Sequence, residues 1–347
     1  MKGASPRLSW SSSASPRSWG RSTSNDLDDD VESGTHKGRS RRPTHKRTRV
    51  LLALAAIAAV ATLATRVVAF AERERRLPKK RRRRQRRVRA FNASVAYDHL
   101  VMVAGHAVTM TESLRDVERR DSKWYLLSYQ RDHDVPENLV AHIRRGVEVA
   151  AKDPKSLLLF SGGQTRADAG PRSEAQAYFF VAEHFRWFGH PEVAARAGTE
   201  EFARDSFENL LFSLCRFAEL TGAYPRRSTV VSFDFKQRRF RDVHRAALRF
   251  PAESFAYEAM PPTTSRFDVP AALAGEAATV AAFQRDPYGC GDSSLAAKRL
   301  ERDPFRRGAG PYRGRSCPRL DALLAHCGPA LFNGSLPWSA AASSSSS

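Results

Sequence analysis

The side chains best suited to chemistry fall in a few short clusters of this 347-residue chain. Gly105-His106 follows one apolar run and Ser161-Gly162-Gly163 follows another. Arg172 and Glu174 come next, then Ser206-x-Glu208-Asn209, and Asp234 follows a third apolar run. Glu174, Glu208 and His106 are the candidate acid–base residues, because acids gathered in a cleft are costly to bury without a use. Ser161, Gly162, Gly163, Ser206 and Asn209 are candidate ligand- or cofactor-binding positions. Paired glycines let a ligand approach the backbone, and a following helix start offers N–H groups to an anion. Arg172, Arg238 and Arg239 are candidate phosphate or carboxylate clamps, since a guanidinium grips such groups bidentately; surface charge is the alternative, and for Arg239 it is the favoured reading. Each assignment has a plainer alternative. Glu174 suits a first helical turn, where an acid favours the dipole by ~0.3–1 kcal/mol. Glu208 and Asn209 could form a solvent face, and His106 could be structural. No His-x-x-x-His or Cys-x-x-Cys marks a metal site, and neither a P-loop, Gly-x-Gly-x-x-Gly nor Gly-x-Ser-x-Gly occurs.

The segments between these clusters alternate in period. His99–Ala104, Leu157–Phe160 and Ser228–Phe233 are short apolar runs, with further strand candidates at Trp124–Ser128 and Ser254–Ala259. Helices are expected at Pro136–Ala151, Arg172–Phe188, Glu200–Leu220 and Gln237–Leu248. In the third of these, Phe207, Leu210, Leu211, Leu214 and Phe217 recur at helical spacing. Strands alternating with helices imply βαβ units, and hence an α/β fold with a mostly parallel sheet covered on both faces. Parallel strands would bring the loops after residues 104, 161 and 233 to one sheet edge, where open α/β sheets hold their ligands.

The charge is uneven. The net charge is +20, yet residues 1–90 carry 24 Lys/Arg against 7 Asp/Glu, leaving the remainder nearly neutral at +3. Residues 1–49 read as a disordered basic tail. Val50–Ala71 is an apolar stretch of 22 residues, against the ~20 that span a bilayer, and is expected to be a single transmembrane helix. Residues 72–96 form a basic linker whose Lys79–Arg89 run suits anionic lipid head groups. The run lacks the interleaved aromatics of a nucleic-acid groove. Its flank, Glu72–Arg89, holds 12 Lys/Arg against 7 in His36–Arg49, which favours a cytosolic main domain. The sequons Asn92-Ala93-Ser94 and Asn333-Gly334-Ser335 fit a lumen instead, and the side stays open. Cys215 reads as a buried small hydrophobe, while Cys290, Cys317 and Cys327 are clustered closely enough to include a disulfide. The globular domain is expected over 97–328, with a disordered tail at 329–347.

The ordered set Ser161-Gly162-Gly163, Ser173-Glu174-Ala175, Ser206-x-Glu208-Asn209, Val230-Val231-Ser232 and Arg238-x-Phe240 resembles the SanA/YdcF/ElyC family, domain of unknown function 218. Asp286-Pro287-Tyr288-Gly289-Cys290, Lys298-Arg299, Asp303-Pro304-Phe305, Tyr312 and Cys317-Pro318 resemble its fungal and plant branch. The resemblance implies a Rossmann-like three-layer α/β/α domain tethered by one membrane helix. It also implies a cleft lined by Gly162, Gly163, Glu174, Glu208 and Asn209, and a nucleotide-type ligand such as S-adenosylmethionine. Two positions depart from the bacterial pattern. Ala104-Gly105-His106 replaces a Gly-rich turn, and Asp234-Phe235-Lys236 stands where bacterial members carry a His. The expected function is therefore a membrane-anchored protein of the Golgi or another secretory-pathway membrane that binds a nucleotide-type or anionic small ligand. It could be a transferase or hydrolase. The alternatives are a non-catalytic ligand-binding scaffold and a Golgi-type transferase.

Overall fold

Five apolar or half-apolar segments pair side by side in a computed structural model that describes residues 96–339 except 292, 309–311 and 313–315. They are β1 (His99–Ala104), β4 (Ser156–Ser161), β5 (Ala197–Glu200), β6 (Arg227–Phe233) and β7 (Phe255–Met260). All pair parallel in the order β5-β4-β1-β6-β7. A small antiparallel pair, β2 (Val108–Thr109) and β3 (Trp124–Tyr125), lies beside them. The three central strands β1, β4 and β6 are buried almost throughout, because helices cover both faces of the sheet. Leu100, Met102, Leu157, Leu159 and Val230 pack on one side against α3 (Ser206–Thr221) and α5 (Val269–Arg285). Val101, Val103, Leu158, Phe160 and Val231 pack on the other against α1 (Val135–Ala151) and α2 (Glu174–His184). From β1 the chain winds outward through β4 to β5, returns beneath α3 to β6, and winds the other way to β7. This is an open, doubly wound α/β sheet, and its switch point lies between β1 and β6.

Several boundaries differ from the periodicity reading. The second helix begins at Glu174 rather than Arg172, because the Ser173 hydroxyl caps it by accepting from Gln176 N–H. The third begins at Ser206 rather than Glu200. Asp205 caps it, and residues 197–200 form edge strand β5, register Leu158↔Ala197 to Ser161↔Glu200. Glu208 and Asn209 consequently lie in the first turn, not two turns in. The fourth helix is largely a π-helix, Arg239–His244, running into a short α4 (Arg245–Ala247).

The C-terminal region adds α5, α6 (Ser294–Glu301) and α7 (Asp321–Ala325). Of the tail expected over 329–347, residues 329–339 are described and pack instead: Phe332, Leu336 and Trp338 are buried in the α3-side core, with Trp338 against Phe250 and Tyr224; residues 340–347 lie outside the described residues. Cys215 is buried, but not as a free hydrophobe. It is bonded to Cys317, and Cys290 is bonded to Cys327. Among the described residues no helix is long and apolar enough to cross a membrane. The basic tail, the expected span 50–71, the linker to residue 95 and Asn92 lie outside them.

Candidate functional site

The loops leaving β1 and β6 diverge at the switch point, and the space between them is a cavity of about 530 Å³. Gly105 and His106 line it from β1, Thr165 and Arg166 from the loop after β4, and Phe233, Phe235 and Lys236 from β6. Glu174 starts α2 beside them. Arg204, Asp205, Ser206 and Asn209 reach it from the start of α3, Arg239 from the π-helix, Glu276 from α5, and Lys298 and Arg302 from the α6 region. The common edge expected for the loops after 104, 161 and 233 is thus formed.

Three of the sequence-predicted residues, Glu174, Ser206 and Asn209, together with His106, contribute to the wall. Glu174 is buried, and its Oε1 accepts the Thr165 hydroxyl at 2.9 Å. Asn209 Oδ1 accepts from Ser161 Oγ at 3.1 Å, and Ser161 itself is sealed behind the wall, donating also to Glu200 at 2.7 Å. Burial raises the Glu200 carboxyl to about 7. Ser206 Oγ stands 2.8 Å from Nε2 of His244, whose basicity burial, then Arg239, holds well below the ordinary range. A hydroxyl against a neutral imidazole is the contact of a nucleophile and its base. His244 Nδ1, however, has no partner among the described residues to orient the ring. Both ring nitrogens of His106 are occupied: Lys236 Nζ donates to Nδ1 at 3.3 Å, and Nε2 meets Ser232 Oγ at 3.1 Å. Burial, then Lys236, keeps its basicity well below normal, so the ring is a neutral wall element stacked on Phe233.

The others are placed elsewhere. Gly162 and Gly163 do not line the cavity. A Cβ on Gly162 would lie 2.6 Å from the Glu174 carboxylate, and one on Gly163 would lie 2.7 Å from the Ala203 carbonyl. The glycines serve close packing of chain on chain, not approach of a ligand. The first N–H groups of α2 are likewise spent: Glu174 N–H donates to Gly163 and Ala175 N–H to Gly162. Glu208 lies behind the wall. Arg204 grips it bidentately at 2.9 and 2.6 Å, and Arg299, 3.5 Å away, bonds Asp205 at 2.6 Å. Glu208 therefore positions the cavity-facing Arg204. Arg172 is exposed on a separate groove with Thr111 and Glu183. Arg238 is exposed, and it is the neighbouring Arg239 that turns inward. Reading Arg239 as surface charge is corrected by this helical phase.

Reading by motif also passed over much of the cationic wall. Arg239 pairs with Glu276 at 3.1 Å, both buried. Arg239 Nε and Glu276 Oε1 keep no partner among the described residues. Burial raises the Glu276 carboxyl, against the pull of Arg239. Burial, then the Arg239 charge, lowers Lys236 to about 7. Burial, then Arg302, lowers Lys298 to about 8. Among the described residues no carboxylate lies within 4.0 Å of Lys236, Lys298, Arg302 or Arg166. Glu276, a single acid in the otherwise apolar run Val269–Phe283, was the available signal for the pair. At one end of the cavity Phe233 stacks on Phe235 at 5.0 Å and meets Phe267 at 5.1 Å, with His133 and the exposed Tyr129 nearby. Among the described residues no His/Cys/Asp/Glu cluster has metal-ligand geometry.

The fold and cavity define an α/β protein with a mostly parallel, doubly wound sheet and a cavity at its switch point. Uncharacterized protein YOR238W of Saccharomyces cerevisiae is 25% identical over 232 residues, spanning 54% of this chain and 76% of the yeast protein. No protein-family model matches the chain, and no solved structure matches it.

Proposed function

We propose that this chain is a membrane-tethered protein of the SanA/YdcF/ElyC type whose α/β domain binds a nucleotide-type or other anionic small ligand in the switch-point cavity. The observation that carries the reading is the surplus of cations on one wall. Lys236, Lys298, Arg302 and Arg166 converge there without a carboxylate partner in reach, and two of them are lowered toward neutrality by burial. A site that holds ammonium groups against desolvation is completed by an anion. The aromatic end beside Phe235 and Phe267 supplies a flat apolar surface for a base, as small-molecule sites commonly combine apolar walls with a few polar groups. Nucleoside phosphates fit that polarity, whereas S-adenosylmethionine offers its adenine and carboxylate but carries a net positive charge through its sulfonium and ammonium, so the cationic wall favours the phosphates. A tether at 50–71 would hold the domain at a Golgi or other secretory-pathway membrane, where the Lys79–Arg89 run would meet anionic head groups.

The test is thermal unfolding of the full-length chain in detergent with ATP, S-adenosylmethionine or inorganic pyrophosphate. A bound probe at 100 times its Kd stabilises by ~2.7 kcal/mol, and Lys298→Met should weaken that response. If no probe shifts the transition at millimolar concentration, or if the variant responds as the wild type does, the anion-site reading fails.

A further inference from the structure

The four cysteines of the chain form two cross-links, Cys215–Cys317 with Cα atoms 4.8 Å apart and Cys290–Cys327 at 5.7 Å. None of the four lines the cavity, so they staple the C-terminal region to the site helix α3 and to itself. Such bonds persist in oxidising compartments and are reduced by the cytosolic thiol pool. Shortly beyond Cys327 the chain carries Asn333-Gly334-Ser335, followed by Leu336 rather than proline. Phe332 and Leu336 are buried on either side of it. Arg249 donates to the carbonyls of Phe332 and Gly334 at 3.2 and 2.8 Å. The loop is thus held from within, while Asn333 and Ser335 are exposed. A glycosylated asparagine must lie at the surface of the folded protein, because the glycan is bulky and polar, and Asn333 does.

We infer that the described domain faces an oxidising secretory lumen and that Asn333 is an N-glycosylation site. In the reaction Asn333 Nδ2 bonds to the anomeric carbon of a lipid-pyrophosphate-linked oligosaccharide. It loses one proton, and the lipid pyrophosphate leaves. The more basic flank at 72–89 pulls the other way, but a long folded domain translocates largely regardless of such charge. The inference is independent of what the cavity binds.

The full-length chain, expressed in glycosylating eukaryotic cells, tests both halves. Cysteine alkylation of the denatured protein should label no thiol before reduction and four after it. Asparagine-directed endoglycosidase should increase its mobility. Asn333→Gln and Ser335→Ala should each remove one mobility step, whereas Ser335→Thr keeps it, which separates a lost acceptor from a misfolded chain. Asn92→Gln should leave the Asn333 step in place. Thiols that alkylate without reduction, or a mobility that Asn333→Gln and Ser335→Ala leave unchanged, would overturn the inference.

Discussion

The two walls of the cavity are built on opposite electrostatic plans. The wall from β1, β4 and α2 holds its acid, Glu174, against a hydroxyl and tightly packed glycine backbone. The wall from the segment after β6, the π-helix, α5 and α6 holds Lys236, Arg239, Lys298 and Arg302, with a single buried carboxylate, Glu276, among them. On the first wall, precision comes from close packing, which tolerates no added volume. On the second it comes from charge, and Lys236, Lys298 and Arg302 have no carboxylate within 4.0 Å among the described residues. The difference teaches that Glu174 and Glu208, singled out by motif, are held by hydrogen bonds and an ion pair within the protein, while the cations on which the proposed anion site rests come from other segments.

Breaking the charged wall should have the largest effect. Glu276→Ala leaves Arg239 buried without its partner, and removing one member of a buried pair costs ~3–5 kcal/mol. Denaturant unfolding would show this as a lowered midpoint, and an unchanged midpoint would remove the pair from its structural role. Replacing both Arg239 and Glu276 with Met should recover much of the loss. Breaking the packed wall should cost less. Gly163→Ala places a methyl against the Ala203 carbonyl and should cost ~1–3 kcal/mol. Gly275→Ala, on the charged wall in a helix interior where a Cβ meets nothing, should instead stabilise by ~0.5–1 kcal/mol. A sign reversal between those two alanines would refute the contrast.

The pH dependence sharpens it further. Lys236 is held near 7 in the folded chain against ~10.4 when unfolded. Between those values the unfolded chain binds the extra proton, so stability without ligand should rise with pH. The cost is full below about 7 and is relieved above it. An anion beside the ammonium favours the protonated form, so stabilisation by pyrophosphate should fall as pH passes above 7. Lys236→Met should flatten both trends, and thermal unfolding across pH would measure them. The smallest effect belongs to Arg238→Ala, which should change stability and pyrophosphate affinity by less than ~0.5 kcal/mol. A large loss there would move the clamp back to the outward-facing position.

Much of this fold was legible in the chain. Three apolar runs and the stripe Phe207–Leu210–Leu214–Phe217 announced parallel strands under amphipathic helices, and the loops after 104, 161 and 233 do meet. Strand β5 was not legible. Ala197–Glu200 has neither alternation nor an apolar run, and it exists because β4 offers it an edge. The helix starts were displaced for a local reason, since Ser173 and Asp205 are caps that periodicity overlooks. The packed tail was obscured by its composition: Phe332, Leu336 and Trp338 are single apolar residues among polar ones.

The sequence by itself determined the alternation of elements, the edge where their loops gather, and the presence of glycines and acids at that edge, because these follow from local periodicity and turn chemistry. Only the tertiary structure decided which side chains face the cavity. A one-residue step along a π-helix exposes Arg238 and buries Arg239. Glu208 is turned toward Arg204 rather than toward the cavity, and Lys298 and Arg302 arrive from far along the chain. It also decided the partners of the four cysteines. Orientation about a helix axis and pairing across long separations are set by packing in three dimensions, and no local pattern of residue types encodes them.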